Sequence, residues 1–207
     1  MKRSGLFLIF SFLFLFPALS QGYSGKDWFV GAGMKGNVYI NDESAKNSEV
    51  WKEPTLAGEL FVGKWFSSRV GGRVLFEGGG LHHYFVHIEE GVNQNYVGGR
   101  LDLLINATNF FRDYSPKSFY NLVPYVGLGS VHVFNATNRP DELDSSSSFL
   151  FGGGLMNTFR LSRNFSVYIN LGMNLVDAAL DGSVVDNNPF NGIASATIGL
   201  VINFGGN

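Results

Sequence analysis

The stretch FSVYINLGMNLV, Phe165 to Val176, sets Phe165, Val167, Ile169, Leu171, Met173 and Leu175 against Ser166, Tyr168, Asn170, Gly172 and Asn174. Successive side chains of a strand point to opposite sides, so this alternation predicts a strand with one apolar and one polar face. A soluble sheet turns its apolar face toward a core, whereas a membrane barrel turns it toward lipid. The direction of that face decides both the fold and the class of function.

The same period recurs along the chain. WFVGAGMKGNVYI (Trp28 to Ile40) alternates Trp28, Val30, Ala32, Met34, Val38 and Ile40 with Phe29, Gly31, Gly33, Lys35, Asn37 and Tyr39. Further segments cover 55–66, 68–78, 96–106, 122–134, 148–161 and 192–204, with glycines blurring the parity of the 122–134 stretch. Together they make eight, each about as long as the roughly 9 to 11 residues that a tilted transmembrane strand needs. Long polar connections at 41–54, 78–95, 135–147 and 177–191 follow odd strands, and short ones at 66–68 and 161–164 follow even strands. Outer-membrane barrels have this asymmetry of long outer and short inner loops. The 107–121 connection departs from it.

Charge then assigns the faces. The polar face carries Lys35, Glu59, Arg73, Arg100 and Asp102, few enough to pair inside a narrow barrel, together with Phe29, Phe61 and Tyr168. The other face is nearly free of charge over a whole strand length and is expected to meet lipid. The sheet must also close, because an open edge in hydrocarbon would leave backbone polar groups unsatisfied. A soluble carrier barrel with an apolar lining would expose mostly Gly, Ser, Asn and Thr. Charged residues are only 15% of this chain, against roughly a quarter to a third of a soluble surface. The expected fold is all-β, an eight-stranded antiparallel transmembrane β-barrel.

The N-terminus indicates the compartment. Met1-Lys2-Arg3, an apolar run from Leu6 to Phe16, and Ala18-Leu19-Ser20 before Gln21 have the three parts of a secretory signal, and the run is too short for a membrane-spanning helix. The expected organisation is a signal peptide over 1–20 and one barrel domain over 21–207. The chain has no cysteine, which excludes disulfides, thiolate metal sites and a catalytic cysteine. A formal charge of −2 carries no nucleic-acid footprint.

WFVGAGMKGNVY, VGKWFSSRVGGRV, NLVPYVGLGSVHVF, GGGLMNTFRLSRNFSVYINL and the closing GLVINFGGN resemble the N-terminal barrel of the OmpA-type outer-membrane proteins of Bacteroidetes. The resemblance implies a cell outer membrane location, with both mature termini periplasmic. Longer members continue into a periplasmic peptidoglycan-binding domain. The residues here match the barrel alone, so the cell-wall tethering role is not carried over. Phe204 is similar to the terminal aromatic read by the barrel-assembly machinery, although three residues follow it.

Other candidates for chemistry are sparse. His82, His83 and His87, followed by Glu89 and Glu90, form the one group resembling a metal site, since histidine and carboxylate can ligate zinc. They are expected in the second external loop, where polar residues belong in any case. A lipid-modifying hydrolase would need a nucleophile, a base and an orienting group in reach. Ser130 and His132 share a strand face, with no carboxylate placed beside them by sequence. The triplets Gly78–Gly80 and Gly152–Gly154 lack the strand-turn-helix setting of a phosphate loop and are expected to make room for bulky neighbours. Asp141, Glu142, Asp144, Asp177, Asp181 and Asp186 keep external loops solvated, or hold divalent cations shared with lipopolysaccharide.

No catalytic residue and no cofactor is expected. The expected function is structural or surface-interacting, in adhesion or envelope integrity. The alternatives are a small porin-like channel and, after it, a lipid-modifying outer-membrane enzyme. The expected partners are outer-membrane lipid and lipopolysaccharide, the barrel-assembly machinery, and a host or surface ligand met through the external loops.

Overall fold

The computed structural model describes residues 28–40, 54–85, 90–112, 118–135, 145–177, 180 and 190–204. The chain forms eight strands: β1 (Trp28–Ile40), β2 (Thr55–Trp65), β3 (Val70–Phe85), β4 (Glu90–Ile105), β5 (Tyr120–Phe134), β6 (Ser146–Arg160), β7 (Phe165–Asp177) and β8 (Phe190–Phe204). Each pairs antiparallel with its sequence neighbours, and β1 pairs with β8 from Trp28↔Phe204 to Ile40↔Gly192. The barrel is closed. The expected signal segment, residues 1–20, lies outside the described residues.

Alternation places the side chains as the charge argument requires. Met34, Leu60, Phe76, Leu101, Leu171 and Ile198 are exposed on the outside, while Phe29, Phe61, Leu75, Tyr96, Tyr125 and Tyr168 are buried in the lumen. An outer wall this apolar is a lipid-facing wall. Trp28, Phe66, Phe165 and Phe204 lie at one end of it, as aromatic residues do where a barrel crosses from hydrocarbon to headgroups.

Two short turns close that end on one plan. In FSSRV, the Phe66 and Ser67 amides bond the Val70 carbonyl while Ser67 Oγ accepts from the Arg69 and Val70 amides. In LSRNF, the Leu161 and Ser162 amides bond the Phe165 carbonyl, and Ser162 Oγ accepts from the Asn164 and Phe165 amides. A serine at the second position supplies the acceptor that a sharp turn lacks.

The longer β4–β5 connection opens with a helical turn, α1 (Thr108–Phe111), and folds back over the β2–β3 turn. Buried Asn109 donates from Nδ2 to the Ser68 carbonyl at 2.6 Å, and Arg69 Nε returns a bond to the Asn109 carbonyl at 3.1 Å. Thr108 Oγ1 accepts from the Leu122 amide at 2.9 Å. The extra length thus bridges one inner turn to the next.

Two expectations change. The third and fourth strands run on to Phe85 and from Glu90, so most of the segment expected as a loop at 78–95 is paired sheet. The reason is register: Gly78↔Val97 through Phe85↔Glu90 continue the β3–β4 ladder without interruption, and glycines hid its alternation. His82 and His83 therefore belong to β3 rather than to a loop.

Candidate functional site

The strand faces that turn inward bring six buried ionised side chains into the lumen: Lys35, Arg73 and Arg100 against Glu59, Glu77 and Asp102. Positive and negative charges balance. Register explains much of the arrangement. Glu59 and Glu77 lie directly opposite each other on β2 and β3, a like-charge pair that repels on its own. Lys35 on β1 resolves the conflict: its Nζ is 3.5 Å from Glu59 and forms a close ion pair with Glu77. The remaining oxygens are also used. Glu59 accepts from Tyr168 Oη at 2.8 Å and from Thr197 Oγ1 at 3.4 Å, and Glu77 accepts from Asn174 Nδ2 at 3.2 Å.

Asp102 anchors the second half of the network. It faces Arg73 across the β3–β4 ladder, and Arg73 Nε donates to its Oδ2 at 2.7 Å. Arg100, two residues away on the same inward face, donates from Nε to Oδ1 at 2.5 Å and from Nη2 to Oδ2 at 3.3 Å. Arg100 Nη1 also bonds Asn174 Oδ1, which joins the two halves into one network. The Arg73 guanidinium sits 4.5 Å from the centroid of the Tyr125 ring and 5.0 Å from that of Phe61, and Arg100 lies 5.2 Å from that of Tyr125. Such contacts stabilise cations where water is scarce.

Apolar side chains pack on both sides of this layer. Along β1 the inward order is Phe29, Lys35, Tyr39, and along β4 it is Tyr96, Arg100, Asp102, Leu104. Phe29, Phe61, Leu75, Leu104, Val123 and Val201 belong to the cluster near the short turns; Tyr39, Leu81, Val131, Leu150, Val176 and Ile193 belong to the cluster at the opposite end. Glycines make room for the larger groups. A Cβ at Gly152 would lie 2.3 Å from Asn174 Oδ1 and 2.4 Å from Arg100 Nη1, so this position in the second glycine triplet admits the network.

Of the residues expected on the polar face, Lys35, Glu59, Arg73, Arg100 and Asp102 all lie in the lumen. Sequence reasoning gave Glu77 no role and did not single out Asn174 or Tyr168 as partners. A carboxylate in parity with Arg73 was the available signal for Glu77. None existed for Asn174, whose partners come from distant strands. Phe204 ends β8, half-exposed on the outer wall beside Trp28.

Of the three histidines, only the side chain of His82 is described. His82 Nδ1 lies 2.8 Å from Asn93 Oδ1, the side chain of His83 is not described, and His87 lies outside the described residues with Glu89. Among the described residues no group of three His, Cys, Asp or Glu could hold a metal ion. Replacing His82, His83 and His87 together by Ala is expected to leave folding unchanged, read as an unaltered difference in gel migration between heated and unheated protein. Stoichiometric zinc lost on that replacement would contradict this. His132 and Ser130 point outward, and His132 Nδ1 lies 2.8 Å from Ser147 Oγ on the next strand. Of the acidic loop residues, Asp177 ends β7, while Asp141, Glu142, Asp144, Asp181 and Asp186 lie outside the described residues.

No protein-family model matches the chain. It is similar to outer membrane protein 41 of Porphyromonas gingivalis, 28% identical over 156 residues, which are 73% of this chain and 38% of that protein. It is likewise similar to outer membrane protein 40 of the same organism, 29% identical over 154 residues, which are 70% of this chain and 39% of that protein. The chain thus spans less than half the length of these relatives. The resemblance to outer-membrane proteins of Bacteroidetes stands on them. Among solved structures, Neisserial surface protein A matches with a TM-score of 0.54 at 9% identity, covering 86% of this chain and 97% of that one. Ail of Yersinia pestis, in complex with the heparin analogue sucrose octasulfate, matches with a TM-score of 0.51 at 13% identity, covering 88% of this chain and all of that one (100%). At such identities the likeness to solved structures is one of fold: a closed eight-stranded outer-membrane barrel.

Proposed function

We propose that this chain, an integral β-barrel of the outer membrane, works as a closed, non-conducting scaffold with a structural or surface-interaction role. The observation that carries this reading is the filled lumen, a charge-balanced layer packed between two apolar clusters. An eight-stranded barrel has an interior only just wide enough for side chains. An ion crossing it would have to displace the network and pass both apolar clusters. The short turns and both termini of the barrel domain then face the periplasm, and the long connections face outward.

Planar-bilayer recording tests this. Wild-type protein is expected to be silent, and Glu59→Ala as well, because Lys35 keeps Glu77 and the apolar clusters remain. Stable porin-sized openings from heat-checked wild-type protein would instead make the chain a channel. An enzymatic role has less support. Ser130 and His132 face the outer wall, and no described carboxylate is hydrogen-bonded to that histidine. A lipid-hydrolysis assay with purified protein is expected to be negative.

Ligand binding through the outer connections is the form that surface interaction takes in this proposal, and the complex of Ail with a heparin analogue supports that use of the fold. The sequence argues for a different ligand charge. Acidic residues outnumber basic ones in these connections, as in RPDELD, which favours divalent cations shared with lipopolysaccharide or a basic partner over a polyanion. Phe204 at the end of β8 is the residue proposed to be read by the assembly machinery.

A further inference from the structure

We infer that a slot in the lipid-facing wall, centred on β1, holds one acyl chain of a phospholipid of the periplasmic leaflet as a bound lipid. The choice of leaflet rests on the orientation proposed above; the acyl chemistry of the occupant does not.

The slot has a volume of about 490 Å³, and every residue that lines it is apolar. That size lies within the roughly 300 to 1,000 Å³ of sites that hold small molecules. Its floor is the segment Val30-Gly31-Ala32. Strand register builds the sides. Val30 lies between Val62 on β2 and Ile202 on β8, and Ala32 lies between Leu60 and Leu200 on the same two strands. Phe76 on β3 stands beyond Leu60. The depression follows from side-chain size: at Ala32 a single methyl separates two leucines that are both exposed on the wall. Gly31 cannot grow to fill it from below, because a Cβ there would overlap the ring of Phe61 directly behind the backbone.

The wall in which the slot lies faces the hydrocarbon of the outer membrane. Lipid tails are as apolar as the protein there, so van der Waals packing decides what lies against the wall. A depression that nothing fills forfeits those contacts. An acyl chain is the slim apolar group that this layer supplies, and one lying in the slot meets protein on three sides instead of one. The lining offers no hydrogen-bonding side chain to single out a protein partner, and it is continuous with the lipid-facing wall around it. Depth then selects the leaflet. Val30 and Ala32 lie two and four residues along β1 from Trp28, at the aromatic end of the wall that bears the short turns. At about 3.3 Å per residue and a tilt near 45°, this places the slot roughly 5 to 10 Å inside an apolar band about 25 Å tall, in the half nearer the short turns. Only the lipids of that leaflet place their chains along it.

Native mass spectrometry of the full chain, extracted from outer membranes in mild detergent, supplies the test. Wild-type protein is expected to carry one phospholipid. Ala32→Phe puts a ring into the slot and alters no hydrogen-bonded side chain. It is expected to lower the lipid-bound fraction about tenfold, the worth of about ten lost atom contacts. Ala196→Phe is the control, at another small exposed position of the outer wall, between Gly36 and Leu171, and is expected to keep the lipid. Both variants are checked for folding by their gel shift; if Ala32→Phe does not fold, Ala32→Leu is read on the same criterion. Lipid-free wild type, or a bound lipid that the Ala32 variant retains, overturns the inference. A wild-type dimer that the Ala32 variant converts to monomer overturns it as well, because the slot then seats a second copy of the chain. The mass of the bound lipid reads orientation separately. Lipid A in place of phospholipid, lost in the Ala32 variant, would overturn the choice of leaflet and the periplasmic placement of the short turns, while the acyl slot would stand.

Discussion

Asp102→Asn is expected to destabilise the barrel by about 3 to 5 kcal/mol, because it removes the shared counter-ion of two buried guanidinium groups. Arg73 and Arg100 both bond Asp102 within the lumen, and its side chain is fully enclosed. Arginine cannot shed its proton at accessible pH, so no change of protonation relieves the buried charge. An amide in place of the carboxylate keeps the volume and one acceptor while removing the charge. The rings of Tyr125 and Phe61 attract Arg73 but do not neutralise it. Reversible urea unfolding of the barrel in lipid or detergent gives the measurement. Glu59→Gln is the control: Lys35 keeps its pair with Glu77, and the amide oxygen still accepts from Tyr168, so the loss should be about 1 kcal/mol. A cost for Asp102→Asn no larger than that control would mean that water reaches the guanidinium groups, and a closed lumen would no longer hold.

Leu171→Arg is expected to cost about 2 to 4 kcal/mol, the penalty of a guanidinium on a lipid-facing wall near the bilayer midplane. Leu171 is the central residue of β7, exposed on the outside between Leu155 and Ala196 of the neighbouring strands. In water an exposed arginine would cost almost nothing, so the same substitution separates a lipid wall from a solvent wall. Folding into vesicles should slow, and the unfolding midpoint should move to lower urea. The adjacent Asn170 faces the lumen, donating from Nδ2 to Tyr125 Oη at 3.1 Å. Asn170→Ser should cost about 1 kcal/mol, the worth of one such bond. A Leu171→Arg variant as stable as wild type would overturn the lipid-facing assignment.

Much of the fold was legible in the sequence because a strand has one dominant rule, the opposite pointing of successive side chains. Applied to β1 and β7, that rule sorted Lys35 and Tyr168 from Met34 and Leu171 without knowledge of any neighbour. The scarcity of charge then decided which set meets lipid. It was least informative where glycine replaces the pattern: β3 extends through Gly78–Gly80, and a residue without a side chain carries no parity.

The sequence by itself determined the number of strands, the faces, and the rule that charge belongs inside. It could not determine which charges meet, because a partner across the lumen depends on the stagger of eight strands around a closed circumference. Glu59 stands opposite Glu77 only through the β2–β3 register, and Asn174 reaches Arg100 and Glu77 only because closure brings β7 against strands far from it in sequence. The reach of the β4–β5 connection was likewise a tertiary matter, since its length makes sense only once Asn109 is seen bonded to the Ser68 carbonyl of another turn. Local geometry repeats every two residues and can be read along one strand. Pairing depends on where the barrel closes, and only the assembled circle of strands decides that.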